Sequence, residues 1–335
     1  MLRVGLIGYG YWGPNLARNI NANEGCELVR VADMLENRQK LIRKNYPAVD
    51  VVSDAAAITQ ADDIDLVVVA TPVYTHYQFA REALLNGKHV WVEKPMTSNV
   101  AQAEELVRIA HDKGLQLMVD HTFLFTGAVI KMKELVDSGE LGQIYYYDSV
   151  RINLGIFQHD INVIWDLAPH DFAIMDYLLG PTARALSAHG TRHFNTGLED
   201  MAYVSVYYDN NVLAHFHLNW LSPVKVRRTI IGGSKKMLLW DDLNMEERIK
   251  IYDKGMDVTT KEGLYQVLAT PRHGAMHAPV IPGVEALSAE IDYLARCIRT
   301  GEHPFNDGEA GLRMVRLLAA TDESLRNKGR VVELP

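Results

Sequence analysis

Three groups of residues carry chemistry by type and spacing. Lys94 lies in Glu93-Lys94-Pro95, directly after the apolar run His89–Val92. A lysine at the end of a buried strand sits in a partly desolvated cleft, which disfavours its charged form and suits it to proton transfer. Its other reading is a stabilising pair with Glu93. Pro95 restricts Lys94 to extended geometry and makes Lys94-Pro95 a candidate cis bond. The second group is Asp166 and His170, within Trp165-Asp166-Leu167-Ala168-Pro169-His170-Asp171. Residues four apart share one helix face. A carboxylate beside an imidazole fixes its tautomer and raises its basicity, which is the make-up of a general base. The plainer reading is that Asp166 caps a helix and His170 packs. The third group is Gly8-Tyr9-Gly10-Tyr11-Trp12-Gly13, with the acid Asp33 following. This is the chemistry of a phosphate cradle.

The elements around these groups must hold them. Leu2, Val4, Leu6 and Ile7 suit a strand buried on both faces. The glycines follow at once, then a helix with Leu16, Ala17 and Ile20 on one side, then a strand, Glu27–Ala32, ending in Asp33. Strand, glycine loop, helix, strand and acid make the dinucleotide-binding fingerprint in its required context. Gly8 permits the turn, Gly10 lets backbone approach a pyrophosphate, and Gly13 lets the helix pack close to the sheet. The helix start favours negative charge, and Pro14 fits a first turn. Asp33 can accept bonds from both ribose hydroxyls, and its charge repels a 2′-phosphate. The cofactor expected is therefore NAD. NADP is the alternative, because Arg38 could reach a 2′-phosphate.

Strand–helix alternation continues to Gln116–Asp120, which predicts a doubly wound parallel sheet. Ligands of such sheets lie outside the carboxyl ends of the strands. Those ends carry Gly8–Gly13, Asp33, Thr71-Pro72, Glu93-Lys94 and Asp120-His121. The expected cofactor contacts are Gly8, Tyr9, Gly10, Tyr11, Trp12, Gly13, Asp33, Arg38, Thr71, Pro72, His76, Glu93 and Lys94. His76, and His121 on the substrate side, can equally be satisfied histidines at element ends.

From Thr122 the pattern changes. A helix over Gly127–Ser138 leads into runs of strand chemistry from Gln143 to Tyr252. Val212, Ala214, Phe216 and Leu218 alternate with Leu213, His215, His217 and Asn219. The expectation is an α/β protein with two domains: a Rossmann domain over 1–122 and a substrate-binding and oligomerisation α/β domain over 123–335, with an open, mostly antiparallel sheet. One sheet face would carry helices. The other would need a second subunit, giving a homodimer or homotetramer. Pro169 fits a first turn, so a helix is expected from Leu167 with Asp166 as its N-cap. His215 with His217, and His159 with Asp160, lack a third metal ligand, so no metal is expected.

The chain has 335 residues, enough for about two domains. Its net charge of −8 argues against nucleic acid or an anionic membrane as partner. Cys26 and Cys297 form neither a disulfide framework nor a zinc site, which fits a reducing compartment. The N-terminus runs straight into a strand and no apolar run spans a bilayer, so a cytoplasmic protein is expected.

The GxGxxG, the Glu93-Lys94-Pro95 and the Asp166-x-x-x-His170 helix resemble, in order and spacing, the Gfo/Idh/MocA oxidoreductases. The resemblance spans essentially the whole chain. It implies a Rossmann domain plus an open sheet domain, often associating through the sheet face, and a catalytic trio of Lys94, Asp166 and His170. Arg151–Asp171 and Asn219–Arg227 are similar to members acting on nucleotide sugars, the UDP-N-acetylglucosamine 3-dehydrogenases and UDP-sugar 3-oxidases. That implies NAD-dependent oxidation of a secondary hydroxyl, at C3, in polysaccharide or lipopolysaccharide precursor synthesis. Substrate contacts are then expected at Lys94, His121, Arg151, Asn153, Asp166, His170, Asn219, Lys225 and Arg227. The alternatives are an inositol or free-sugar dehydrogenase, an NAD-dependent glycosidase, and a non-catalytic NAD-binding sensor.

Overall fold

The structure is a computed structural model. It describes residues 1–155, 161–194, 197–260 and 267–335, with side chains left out at 257–260 and 267–270. His159 and Asp160 lie outside the described residues.

In chain order the first elements are β1 (Leu2–Ile7), α1 (Gly13–Ala22), β2 (Cys26–Ala32), α2 (Glu36–Asn45), β3 (Asp50–Val52), α3 (Ala56–Thr59), β4 (Leu66–Val69), α4 (Val73–Leu85), β5 (His89–Glu93), α5 (Val100–Lys113) and β6 (Leu117–Asp120). A 3-10 turn over Thr122–Phe125 precedes α6 (Gly127–Asp137). Then come β7 (Ile144–Leu154), α7 (Val163–Leu179), β8 (Ala183–Thr191), β9 (Met201–Tyr208), β10 (Leu213–Asn219), β11 (Leu221–Gly233), β12 (Met237–Asp241), β13 (Ile249–Thr260) and β14 (Val267–His277). The tail forms α8 (Ala286–Thr300), α9 (Gly308–Arg326) and β15 (Val332–Glu333).

The chain divides into two compact units, Met1–Thr126 with Val284–Ala319, and Gly127–Gly283 with Ala320–Pro335. The first holds a six-stranded sheet in the order β3-β2-β1-β4-β5-β6, all parallel. Its order reverses between β1 and β4, the point where doubly wound sheets bind ligands.

Both faces of this sheet are covered. Val67, Val69, Val90, Val92, Leu117 and Val119 join a core with Ala80, Ala83, Leu84, Ala103 and Leu106 of α4 and α5. Their alternating neighbours Leu66, Val68, Trp91 and Met118 face the other way, into a core with Leu16 and Ile20 of α1. Crossovers α4 and α5 lie on one face, so the opposite face beneath β5 and β6 needs another helix. That helix is α8, which supplies Leu287, Ile291 and Leu294. The division therefore differs from 1–122 and 123–335 in the tail: 284–319 packs with the Rossmann sheet because the sheet leaves apolar side chains to cover.

The second unit holds a nine-stranded sheet, β14-β13-β12-β11-β7-β10-β9-β8-β15. Its β7–β10 pair is parallel and the other pairs are antiparallel. Ala214, Phe216 and Leu218 of β10 are buried, and Phe172 of α7 meets Phe216 edge-on at 4.9 Å. The opposite face carries the half-exposed Tyr203, Tyr207 and Leu213.

One helix boundary is corrected. α7 begins at Val163, and its N-cap is Asn162, whose Oδ1 accepts from the N–H groups of Ile164 and Trp165, each at 3.1 Å. Pro169 lies in the helix interior. It withholds one N–H at a cost of about 3 kcal/mol. Burial of Val163, Ile164, Ala168, Phe172 and Ile174 on the same helix offsets that cost.

Ile291→Ala removes a fully buried side chain from the α8 seam. The expected loss is about 2–4 kcal/mol, read as a lower urea midpoint of the NAD-binding unit.

Candidate active site

The glycine loop follows β1. Gly8 has φ +99°, and a Cβ there would stand 2.5 Å from the Ala70 carbonyl oxygen. A Cβ on Gly13 would meet the Gly8 oxygen at 2.4 Å. The fold itself thus demands both glycines. Gly10 differs: its Cβ would meet only the Arg38 guanidinium, at 3.6 Å. That is an ordinary contact that does not itself demand glycine, which fits a site that a pyrophosphate must approach. Tyr11 beside it is almost fully exposed and Tyr9 is buried.

Asp33 directly follows β2 and is buried. Its Oδ2 accepts from the Tyr9 N–H at 2.8 Å and its Oδ1 from the Leu35 N–H at 2.9 Å. Arg38 Nη1 donates to the same Oδ2 at 3.3 Å. The acid is ordered by backbone, and Arg38 is drawn onto it. Loop, helix N-terminus and oriented acid together fit a dinucleotide.

After β4, Thr71 and Pro72 form a turn in which Thr75 Oγ1 donates to the Pro72 carbonyl at 2.7 Å. His76 is fully buried. Its Nδ1 lies 2.9 Å from the Pro95 oxygen and its Nε2 2.7 Å from the Thr71 oxygen. Burial, the larger effect, holds its pKa below the usual value. His76 ties the turn after β4 to the cis Lys94-Pro95 bond after β5. Lys94 itself is partly exposed.

The ends of β5 and β6 are acidic, at Glu93 and Asp120. Asp120 Oδ2 accepts from Trp12 Nε1 at 3.0 Å, and its Oδ1 from the Thr122 N–H at 3.1 Å and the Thr122 hydroxyl. Trp12 thereby anchors the glycine loop to β6. His121 is buried, and burial pushes its imidazole down to about 4, the nearby Lys94 charge adding to the effect while Asp120 opposes it. Glu290 reaches in from α8 and accepts from the His121 N–H at 3.3 Å and from Asn306 Nδ2 at 3.0 Å. Asp120 was legible as a strand end. Glu290 and Asn306 were not expected. The signal for Glu290 was an acid on the apolar stripe of Leu287, Ile291 and Leu294.

In the second unit, capping by Asn162 releases Asp166 from that task. Asp166 Oδ2 instead accepts from Trp220 Nε1 at 3.1 Å. His170 follows one turn later on the same helix. β7 and β10 are parallel, with Asn219 in register with Ile152, so their carboxyl ends coincide. There the Gly155 N–H donates to the Trp220 oxygen at 2.9 Å, and a Cβ on Gly155 would meet Asn153 Nδ2 at 3.0 Å and Trp220 Cδ1 at 2.9 Å. Asn219 Oδ1 accepts from the Leu221 N–H at 2.6 Å. Asn153, Asn219, Trp220 and Asp166 therefore gather at one sheet end. β11 pairs Leu221 with Leu154 and Val226 with Ile152, so the irregular stretch between them places exposed Lys225 at that end too.

Arg151 is elsewhere. It is buried on β7 in a two-point pair with Asp171, Nε to Oδ2 at 2.7 Å and Nη2 to Oδ1 at 3.1 Å. That guanidinium is committed to the interior. Arg227, about one-third exposed, lies 3.4 Å from Asp242, and burial and then Arg151 hold its pKa below the usual arginine value. His215 faces Asp148 at 3.2 Å on the open sheet face, and His217 stacks on Tyr203. Among the described residues no group of three could hold a metal ion, and no helix is long and apolar enough to cross a membrane.

The family described as oxidoreductases with an NAD-binding Rossmann fold, Gfo/Idh/MocA, matches residues 2–121, and its C-terminal domain matches 129–239. An uncharacterized oxidoreductase of Escherichia coli, YdgJ, is 31% identical over 74% of each chain. The NAD-dependent scyllo-inositol 2-dehydrogenase of Bacillus subtilis is 25% identical over all of this chain and 95% of its own. A solved UDP-N-acetylglucosamine 3-dehydrogenase, GnnA from Acidithiobacillus ferrooxidans, superposes with TM-score 0.82 at 24% identity over 98% of both chains, a likeness of fold.

The depressed His121 imidazole has a stability consequence. Below an unfolded value near 6.5 the unfolded chain takes up a proton that folded His121 refuses until about pH 4. This penalty is absent above pH 6.5 and grows as pH falls. His121→Gln should therefore gain stability relative to the parent between neutral pH and pH 4.5, by up to about 3 kcal/mol. Paired urea titrations at the two pH values measure it.

Proposed function

The chain belongs to the Gfo/Idh/MocA oxidoreductase family, and from that premise we propose that it oxidises a secondary hydroxyl, at C3, of a nucleotide-activated sugar such as UDP-N-acetylglucosamine. NAD is the cofactor of this reading, because a buried Asp33 held by two backbone N–H groups and paired with Arg38 leaves that arginine engaged. NAD supplies the hydride acceptor.

The proton is handled by the chain's own groups. His170, with Asp166 before it on the helix, takes the hydroxyl proton. Lys94 hydrogen-bonds the reacting oxygen, and the two roles can be exchanged. Asp166, free of capping and held by Trp220, supports this reading. The nucleotide-sugar assignment rests on one observation: exposed Lys225, close in sequence to part-exposed Arg227, stands at the sheet end that carries Asn153 and Asn219. A diphosphate needs such cations. With Arg151 committed to Asp171, the phosphate contact falls to these two. An inositol dehydrogenase is the second reading, favoured by the full-length likeness to the Bacillus enzyme. The half-exposed aromatic face of the second sheet supports a homodimer or homotetramer formed through it.

The test is NADH formation with UDP-N-acetylglucosamine, its uronic acid, free sugars and inositols offered separately. NADH with a UDP-sugar supports the proposal; NADH with inositol alone overturns the nucleotide-sugar assignment. Lys94→Ala should lower kcat by about 10²–10⁴-fold while NAD still binds; unchanged turnover removes Lys94 from the mechanism. Lys225→Glu should raise KM for the UDP-sugar about tenfold with kcat little altered, since it removes a contact shared by ground and transition states.

A further inference from the structure

His193 and Asp200 form an imidazole–carboxylate pair that the proposed reaction does not use. His193 stands two residues after β8, and Asp200 directly precedes β9. Both oxygens of the buried Asp200 carboxylate accept from His193: Oδ2 from its backbone N–H and Oδ1 from its ring Nδ1, each at 2.7 Å. Nδ1 therefore carries the hydrogen, and the ring has one orientation. The His193 side chain is 51% exposed, so the acid holds one edge of the ring and leaves Nε2 outside the pair. The other pair of this kind in the second unit, His215 with Asp148, is looser, at 3.2 Å, and its acid is half-exposed.

The His193 pair is built into the sheet end that carries Asn153, Asn219 and Trp220. The Asp200 carbonyl accepts the Trp220 N–H at 3.0 Å, and the indole of the same Trp220 donates to Asp166 at 3.1 Å. β9 runs antiparallel to β10 with Met201 opposite Asn219, so β9 starts where β10 ends. The Glu199 carbonyl accepts from the Val163 N–H at 2.9 Å, which fastens the same segment to the start of α7. In strand order β11, β7, β10, β9, the sheet end thus presents Lys225, Asn153, Asn219, and Asp200 with His193. Three strand spacings, about 14 Å, separate the ends of that row. A row of polar side chains this long suits an extended ligand, a sugar ring joined to a charged group, better than a lone ring.

We propose that His193 is a substrate-binding residue: aimed by Asp200, its Nε2 hydrogen-bonds a hydroxyl of the sugar ring at the end of this row opposite Lys225. The inference rests on the proposed placement of a sugar at this sheet end. A sugar hydroxyl both donates and accepts, so it satisfies Nε2 whether or not that nitrogen holds a hydrogen. Asp200 fixes the ring before the substrate arrives, so little side-chain freedom is lost on contact. Trp220 joins this contact to the reacting pair, because it holds Asp200 with its backbone and Asp166 with its indole.

Two variants separate a ligand contact from a staple that merely closes the loop. An asparagine places its amide where imidazole places Nδ1, so His193→Asn keeps the bond to Asp200 and removes Nε2. A glutamine places its amide where imidazole places Nε2, so His193→Gln keeps the reach toward substrate and gives up the bond to Asp200. The NADH-loaded protein is titrated by calorimetry with UDP-N-acetylglucosamine and, separately, with myo-inositol. His193→Asn should weaken binding about tenfold, the worth of one hydrogen bond, at an unchanged melting temperature, and His193→Gln should bind more tightly than His193→Asn. Parent-like affinity in His193→Asn overturns the proposal, whichever ligand binds. Equal weakening in both variants with a lowered melting temperature overturns it as well, since a staple alone predicts that. Binding of myo-inositol alone overturns the nucleotide-sugar reading, and the same affinity ratio then decides on His193. Binding of neither ligand to the parent overturns both.

Discussion

A parallel sheet has no face it can leave to water. Its strands are buried on both sides, and each side must find a helix. In the first unit α4 and α5 lie on one face of β4, β5 and β6, so Leu66, Val68, Trp91 and Met118 on the other need cover from elsewhere. The chain supplies it from far downstream, in α8. That packing has a chemical by-product. The helix that covers Trp91 and Met118 also carries Glu290 to the ends of β5 and β6, where Asp120 and Glu93 already stand. Stability and the electrostatics of the site are thus set by one seam.

The glycine loop shows how fold and ligand demands separate. Gly8 and Gly13 are fixed by the chain's own backbone, which a Cβ would strike. Gly10 is not, which fits a loop that a ligand must approach closely. Asp33 is likewise prepared in advance. Two backbone N–H groups and Arg38 hold its carboxylate in one orientation, so little remains to be ordered when a ribose arrives. Trp12 links this loop to Asp120 and so to the strand end beside Lys94.

In the second unit a single cap decides the meaning of a motif. With Asn162 accepting from two first-turn N–H groups, Asp166 is free to hold Trp220 and to sit one turn before His170. Trp220 also closes the carboxyl ends of β7 and β10 through the Gly155 N–H. The two asparagines, the tryptophan and the acid then form one edge. Arg151 was expected as a substrate contact, yet its guanidinium pairs with Asp171 inside.

Local chemistry was enough to place the parallel sheet, the glycine loop, Asp33, Lys94 and the Asp166–His170 pair, since each depends on neighbours within a few residues or on strand ends that a buried run marks out. Family membership was legible for the same reason. The start of α7 was not, because Pro169 argued for a first turn and only tertiary burial made an interior proline tolerable. The tail's return to the first unit was also hidden. An amphipathic helix announces that it has an apolar face, not which sheet that face will meet. The partners of Arg151 and Glu290 lie 20 and 170 positions away, at Asp171 and Asp120. Contacts at such separations are chosen by packing, and packing is a property of the whole fold.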